Sequence, residues 1–221
     1  MAKITRMKKT KDRVAVELDT GDEVMIGCAT ANRLGWAEGG GVSEAEVLRA
    51  AREDEEARAR DKVLRLLERR AYPRRDLLQR LRRAGFTEAA AAAVIDRLVA
   101  AGAVDDGAFA RAWIRTRLVA GPQGRRRLTA ELARRGVDRE TAAAALAEES
   151  PGDENDACLR AAERQAVKYR RLPAAAARRR LSAFLARRGF DPEDVRRAVE
   201  RIRPGTGDDT GGCDAGGPEG G

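Results

Sequence analysis

A mainly α-helical protein is the fold this sequence predicts: a tandem array of three three-helix repeats, preceded by a short N-terminal β-hairpin segment and followed by a disordered tail. Three observations predict it. Aromatic residues are scarce at 4% while 36% of residues are charged, and the dominant Ala and Arg are good helix formers. A leucine–glycine motif occurs three times along the chain. The last stretch combines glycine with acids and almost no apolar residue, so it cannot form a core.

The expected divisions are a hairpin segment at 1–42, a helical lead-in with the first repeat at 43–103, a second repeat at 104–150, a third at 151–203 and the tail at 204–221. In the first segment Val14, Val16 and Leu18 alternate with Ala15 and Glu17. Asp19-Thr20-Gly21-Asp22 then supplies turn chemistry, and Val24-Met25-Ile26 begins a second apolar run. That pattern is a β-hairpin signal. Leu34-Gly35-Trp36 and Gly39-Gly40-Gly41 read as a loop, with Trp36 open between a core and a contact role. Ser43 followed by Glu46 makes a capping box, so helix begins there. It continues from Glu44 to Arg70 as one helix or two abutting ones, any break falling near Ala50–Asp54.

The motif runs Leu77, Leu81, Gly85, Phe86, then Leu128, Leu132, Gly136, Val137, then Leu181, Leu185, Gly189, Phe190. Two leucines four residues apart share one helix face, and the glycine can take the left-handed conformation that ends the helix. Thr87, Asp138 and Asp191 stand where the next helix needs an N-cap, and Glu88, Glu140 and Glu193 fall in its first turn. A preceding helix is marked in the middle repeat by Phe109, Trp113, Ile114 and Leu118. Pro73, Pro122 and Pro173 lie in the connections to the motif helices. A third helix follows, through Val94, Ile95, Leu98 and Val99, then alanines with Leu146, then Val195, Val199 and Ile202. Each repeat has little apolar surface of its own, so neighbours are expected to lean on one another in a curved array.

The formal charge of +8 understates the helical body, because the tail carries four acids and no base. A basic helical body points to an anionic partner. Histidine is absent, which removes the commonest general base and metal ligand. Cys28, Cys158 and Cys213 are widely spaced and suggest neither zinc nor a disulfide framework, so a reducing compartment is expected. No apolar run approaches the ~18 residues of a membrane span, and the basic start is not a signal peptide. A soluble cytoplasmic protein without cofactor or metal, and not an enzyme, is the expectation.

Some residues invite a chemical reading that their context makes weaker than a structural one. Asp105-Asp106 sits at a helix start, where carboxylates accept from free amides. Gly121-Pro122-Gln123-Gly124 mimics a phosphate-clamping loop but lacks the strands around it, so a turn is expected. Trp113 and Phe109 are at core spacing rather than displayed for base stacking.

Placement singles out certain arginines. Counted from the first leucine of each motif, position −2 is Arg75, Arg126 and Arg179, and position +6 is Arg83, Arg134 and Arg187. At about 100° per residue these positions lie roughly 80° apart, with their midpoint opposite the leucines. They are the candidate contacts with a partner or with DNA. Position −3, Arg74, Arg125 and Arg178, flanks the leucine face.

The sequence also resembles the RecX family. Ala103-Val104-Asp105-Asp106 leading to Phe109-Ala110, and Gly121-Pro122 followed by Leu128, Leu132 and Gly136-Val137, are similar to that family's second repeat. The opening strands and Leu34-Gly35-Trp36 resemble the start of its longer members, so the likeness spans about 14–203. The resemblance implies a monomeric negative regulator that lies along the groove of the RecA–single-stranded DNA filament. It would limit filament growth and so ATP hydrolysis, strand exchange and coprotease activity, with RecA as partner and single-stranded DNA a second candidate. The alternative is a basic helical-repeat protein that binds nucleic acid directly. That alternative accounts less well for tandem repeats lacking Asn, Gln and Arg sets suited to base edges.

Overall fold

In the computed structural model, which describes residues 1–205, the chain divides into two compact units, Met1–Asp106 and the part from Gly107 onward. All but the first two residues of the expected disordered tail lie outside the described residues.

The first unit begins with more sheet than one hairpin. Strands β1 (Ala2–Thr10), β2 (Arg13–Leu18), β3 (Glu23–Gly27) and β4 (Gly41–Val42) form an antiparallel sheet in the order β3-β2-β1-β4. The expected hairpin is the β2–β3 pair, with Val14 opposite Ile26 and Val16 opposite Val24. Strand β1 was not foreseen, because its basic, mostly exposed residues bury only Ile4 fully. Part of the glycine-rich loop also pairs, Ala2 with Val42 and Lys3 with Gly41. A short helix α1 (Cys28–Leu34) precedes it and ends on Gly35 in the left-handed conformation. Trp36 is half-buried and packs against the core formed by Ile4, Val16 and Ile26.

Helix α2 (Glu44–Leu67) is continuous through the region where a break was allowed. The Ser43 capping box is present: its hydroxyl accepts from Glu46 N–H at 3.2 Å, and the Glu46 carboxylate accepts from Ser43 N–H at 2.7 Å. Near its start Val47 joins the sheet core, and later Ala59 and Val63 join the core of the first repeat. Between them the buried Asp54 accepts from Gly27 N–H at 2.7 Å and Thr30 Oγ1 at 3.2 Å, and pairs with Arg58 at 3.0 Å. Asp54 thus satisfies the N-cap residue's own amide at the start of α1, where Gly27 has no side chain to offer.

The repeats follow. The first adds α3 (Arg74–Arg83) and α4 (Glu88–Ala100) to the end of α2; the second is α5 (Asp106–Val119), α6 (Arg125–Arg135) and α7 (Arg139–Glu149). The third is α8 (Glu154–Ala166), α9 (Ala174–Arg187) and α10 (Pro192–Ile202). All six motif leucines are at most 1% exposed. Gly85, Gly136 and Gly189 have φ of 85°, 93° and 80°. After each, the apolar residue donates back to the second leucine's carbonyl: Phe86 to Leu81, Val137 to Leu132 and Phe190 to Leu185, at 3.1–3.4 Å. Thr87, Asp138 and Asp191 each accept a backbone N–H in the following helix's first turn. The helix–turn–helix corner is therefore the same local solution three times.

The third copy differs in length. Pro73 caps α3 four residues before Leu77, whereas Pro173 caps α9 eight residues before Leu181. The alanines Ala174–Ala177 continue the helix backwards by about one turn. Tyr169 lies in a 3-10 turn after α8 and packs against the third repeat's core.

Candidate partner-binding surface

The leucine pairs fix the opposite helix face, and there the structure places all six predicted arginines in the exposed class. Arg126 lies 3.8 Å from Asp191, while Arg75, Arg83, Arg134, Arg179 and Arg187 have no ion pair among the described residues. Two of the three flanking arginines are engaged, while Arg178 is exposed and has no ion pair among the described residues. Arg74 pairs with Asp96 at 2.6 Å, and the half-buried Arg125 donates to Ser150 O at 3.0 Å.

Two of these helices begin against their own dipoles. Arg74 and Arg75 open α3, and Arg125, Arg126 and Arg127 open α6, where cations are disfavoured. An acid from elsewhere compensates each start: Asp106 accepts from Arg74 N–H at 2.7 Å, and Glu154 accepts from Arg125 N–H at 2.9 Å. Asp106 therefore serves the start of α3. Among the described residues no group of three or more His, Cys, Asp and Glu could hold a metal ion, and no helix is long and apolar enough to cross a membrane.

In the second unit the structure brings three of the predicted residues together. Arg126 and Arg134 on α6 and Arg187 on α9 line an open groove of about 860 Å³, joined by Arg127 and Arg196. Arg179 is not among the lining residues. The groove's floor is apolar, formed by Ala183, Ala186, Phe190, Pro192, Val195 and Val199. Position −1 is arginine only in the second and third motifs, Arg127 and Arg180, and is Asp76 in the first, so a search for threefold recurrence passed over Arg127. Arg196 lies on α10, outside the motif that framed the search.

The groove exists because the second and third repeats approach very closely. Gly124 N–H donates to Arg188 O at 2.9 Å, and a Cβ on Gly124 would stand 2.0 Å from Gly189 O. Arg127 Nη1 donates to Arg187 O at 3.1 Å, and Arg188 Nη1 to Pro122 O at 2.8 Å. The Gly121–Gly124 loop is thus a docking turn against the third motif's glycine.

Beside α6, Trp113 is engaged rather than displayed. Its Nε1 donates to Glu131 at 3.2 Å, and the Arg117 and Arg135 guanidiniums lie 4.4 and 3.7 Å from its ring centroid. Burial pushes the Glu131 carboxyl upward. The Arg127 hydrogen bond and the charges of Arg117 and Arg127, with Trp113 assisting, overcome this and hold it below its ordinary value. Cys158 is buried, and that burial, with the Asp194 and Glu154 charges, pushes its thiol up to about 12.

Family models match all three repeats: the RecX first three-helix domain over 59–98, the second over 105–146 and the third over 153–199. The chain is 41% identical over 141 residues to "Regulatory protein RecX" of Thermobifida fusca, covering 64% of this chain and 76% of that protein. It is also 41% identical over 145 residues to the protein of that name from Chromohalobacter salexigens, covering 66% and 93%. A crystal structure of regulatory protein RecX superposes with a TM-score of 0.65 at 20% identity, over 92% of this chain and 99% of that one. RecX from Lactobacillus salivarius gives 0.59 at 18%, over 68% and 97%. The two structures agree in fold, and the sequence relatives with the three domain matches carry the assignment: this chain belongs to the RecX family of regulatory proteins.

Proposed function

We propose that this protein is a non-catalytic cytoplasmic regulator that binds the RecA–single-stranded DNA filament as a monomer and inhibits its recombinase, ATPase and coprotease activities. The supporting observation is the threefold recurrence of exposed arginines at positions −2 and +6, five of the six without an ion pair among the described residues. An unpaired, solvated guanidinium keeps its charge available for an anionic partner. Recurrence also spreads contacts over repeats, so each contributes part of the affinity. The working divisions in this proposal are the sheet segment 1–42, the repeats at 43–103, 104–150 and 151–203, and the tail 204–221.

The test reverses Arg75, Arg126 and Arg179 together to Glu. Inhibition of DNA-dependent ATP hydrolysis should be abolished while helix content by circular dichroism stays the same. A matched control reverses the exposed Glu23, Glu68 and Glu163, none in a helix's first turn, to Lys and should keep inhibition. If the folded arginine variant inhibits as well as the parent, this face is not the contact. Direct nucleic-acid binding predicts instead a parallel loss of affinity for bare single strands, with the salt slope shallower by about 2.

A further inference from the structure

We propose that the groove between α6, α9 and α10 docks a short acidic amphipathic helix of a protein partner. The inference rests on the reading of the arginine face as a partner surface and commits that part of it to protein rather than to a nucleic-acid backbone.

The groove's anatomy is that of a protein interface: an apolar centre within a charged rim. Its floor presents the exposed Ala183 and Ala186 over Phe190, Val195 and Val199, and carries no cation. A phosphate backbone laid there would meet methyl groups. A base would find no platform, since Phe190 is the one aromatic residue lining the groove and is 3% exposed. The rim carries Arg126, Arg127 and Arg134 on one side and Arg187 and Arg196 on the other; Arg126 is paired with Asp191, Arg127 with Glu131 and Arg196 with Glu193 and Glu200. Arg134 and Arg187, without ion pairs among the described residues, remain to be neutralised by the occupant. Complementarity therefore asks for small or branched apolar side chains on one face and carboxylates along both flanks.

The occupant's conformation follows from its backbone. All three walls are helices, whose amides and carbonyls are satisfied internally, so they offer no strand edge to pair with. An entering segment must satisfy its own hydrogen bonds, as a helix does. From Arg126 to Arg134 the wall rises about 12 Å, enough for two turns with anchors at i, i+3, i+4 and i+7.

The probe is a fluorescein-labelled three-turn peptide with Leu at those four positions and Glu at the others, compared with its Lys counterpart and with labelled oligothymidylate. Anisotropy titrations use the full chain. Ala186→Trp fills the floor from an exposed position without changing charge, and Arg134→Gln with Arg187→Gln removes the unpaired cations without touching the floor. The Glu peptide should bind, the Lys peptide should not, and each variant should weaken the Glu peptide about tenfold. Oligothymidylate affinity should be unchanged in Ala186→Trp. Equal binding of both peptides, no binding of the Glu peptide, or parallel loss of oligothymidylate affinity in Ala186→Trp overturns the proposal. Recombinase inhibition is measured on the same variants. If the peptide results hold while the parent does not inhibit RecA, the groove proposal stands and the recombinase reading falls.

Discussion

Adding one methyl group at Gly124 should loosen the junction between the second and third repeats. Gly124 has φ −76° and ψ 148°, a backbone that any residue adopts. Strain in the dihedrals therefore does not enter. The added Cβ would stand 2.0 Å from Gly189 O and 2.3 Å from Phe190 N, both backbone atoms that cannot swing aside. The repeats must separate, stretching the Gly124–Arg188 hydrogen bond and the two guanidinium contacts that flank it. Overpacking of this kind costs about 1–3 kcal/mol; at 2 kcal/mol the melting temperature should fall by about 4–8 °C. Gly124 also caps α6, and alanine caps poorly, so Gly124→Ser is the decisive variant. Serine improves the cap but carries the same Cβ. If crowding governs, Gly124→Ser is destabilised like Gly124→Ala; Gly152→Ala, with nothing within 4 Å, should melt as the parent does. A Gly124→Ser protein more stable than the parent in calorimetry would refute the close-approach account.

Other perturbations have expected outcomes of their own. Leu132→Ala, at a fully buried site, should cost about 2–5 kcal/mol in urea unfolding, and an unchanged midpoint would contradict the shared core of the repeats. Glu131, held below its ordinary 4.5, contributes stability that is present above the unfolded value and lost as pH falls through the lower folded one. Glu131→Gln should therefore lose stability at neutral pH and show a flatter decline than the parent in acid, read from melts between about pH 6 and 3. Cys158, with its raised thiol and buried position, should resist alkylation at neutral pH until the protein unfolds. Peptide mass mapping after iodoacetamide treatment checks this, and ready labelling would mean that the third repeat opens easily.

The elements legible in the sequence are those whose causes are local. Leucine spacing, the glycine stop and the N-cap lie within about twelve residues of each other in each copy, and all three corners formed as the residues dictated. Strand β1 escaped because its pairing partners supply the reason for its extension: Lys8 and Lys9 lie opposite Ala15 and Val14 in a ladder that leaves them exposed. Gly124 looked like turn punctuation since its partner, Gly189, is far along the chain. The arginine face was visible through threefold repetition, whereas the groove was not: Arg127 has a counterpart only in Arg180, Arg196 lies outside the motif, and the floor assembles from α9 and α10 only after folding.

The unbroken α2 has a consequence for how the chain can vary. It acts as a shaft keyed at one end to the sheet through Val47 and Asp54 and at the other to the first repeat through Ala59 and Val63. On such a shaft length and angle are coupled: one inserted residue between Asp54 and Ala59 would turn one key against the other by about 100° and advance it by about 1.5 Å. Insertions of seven residues, nearly two whole turns and within about 20° of phase, would preserve the angular setting while lengthening the reach by roughly 10 Å. Any gain or loss of residues in this stretch should therefore be quantised, tolerated in near-whole turns and disruptive in between.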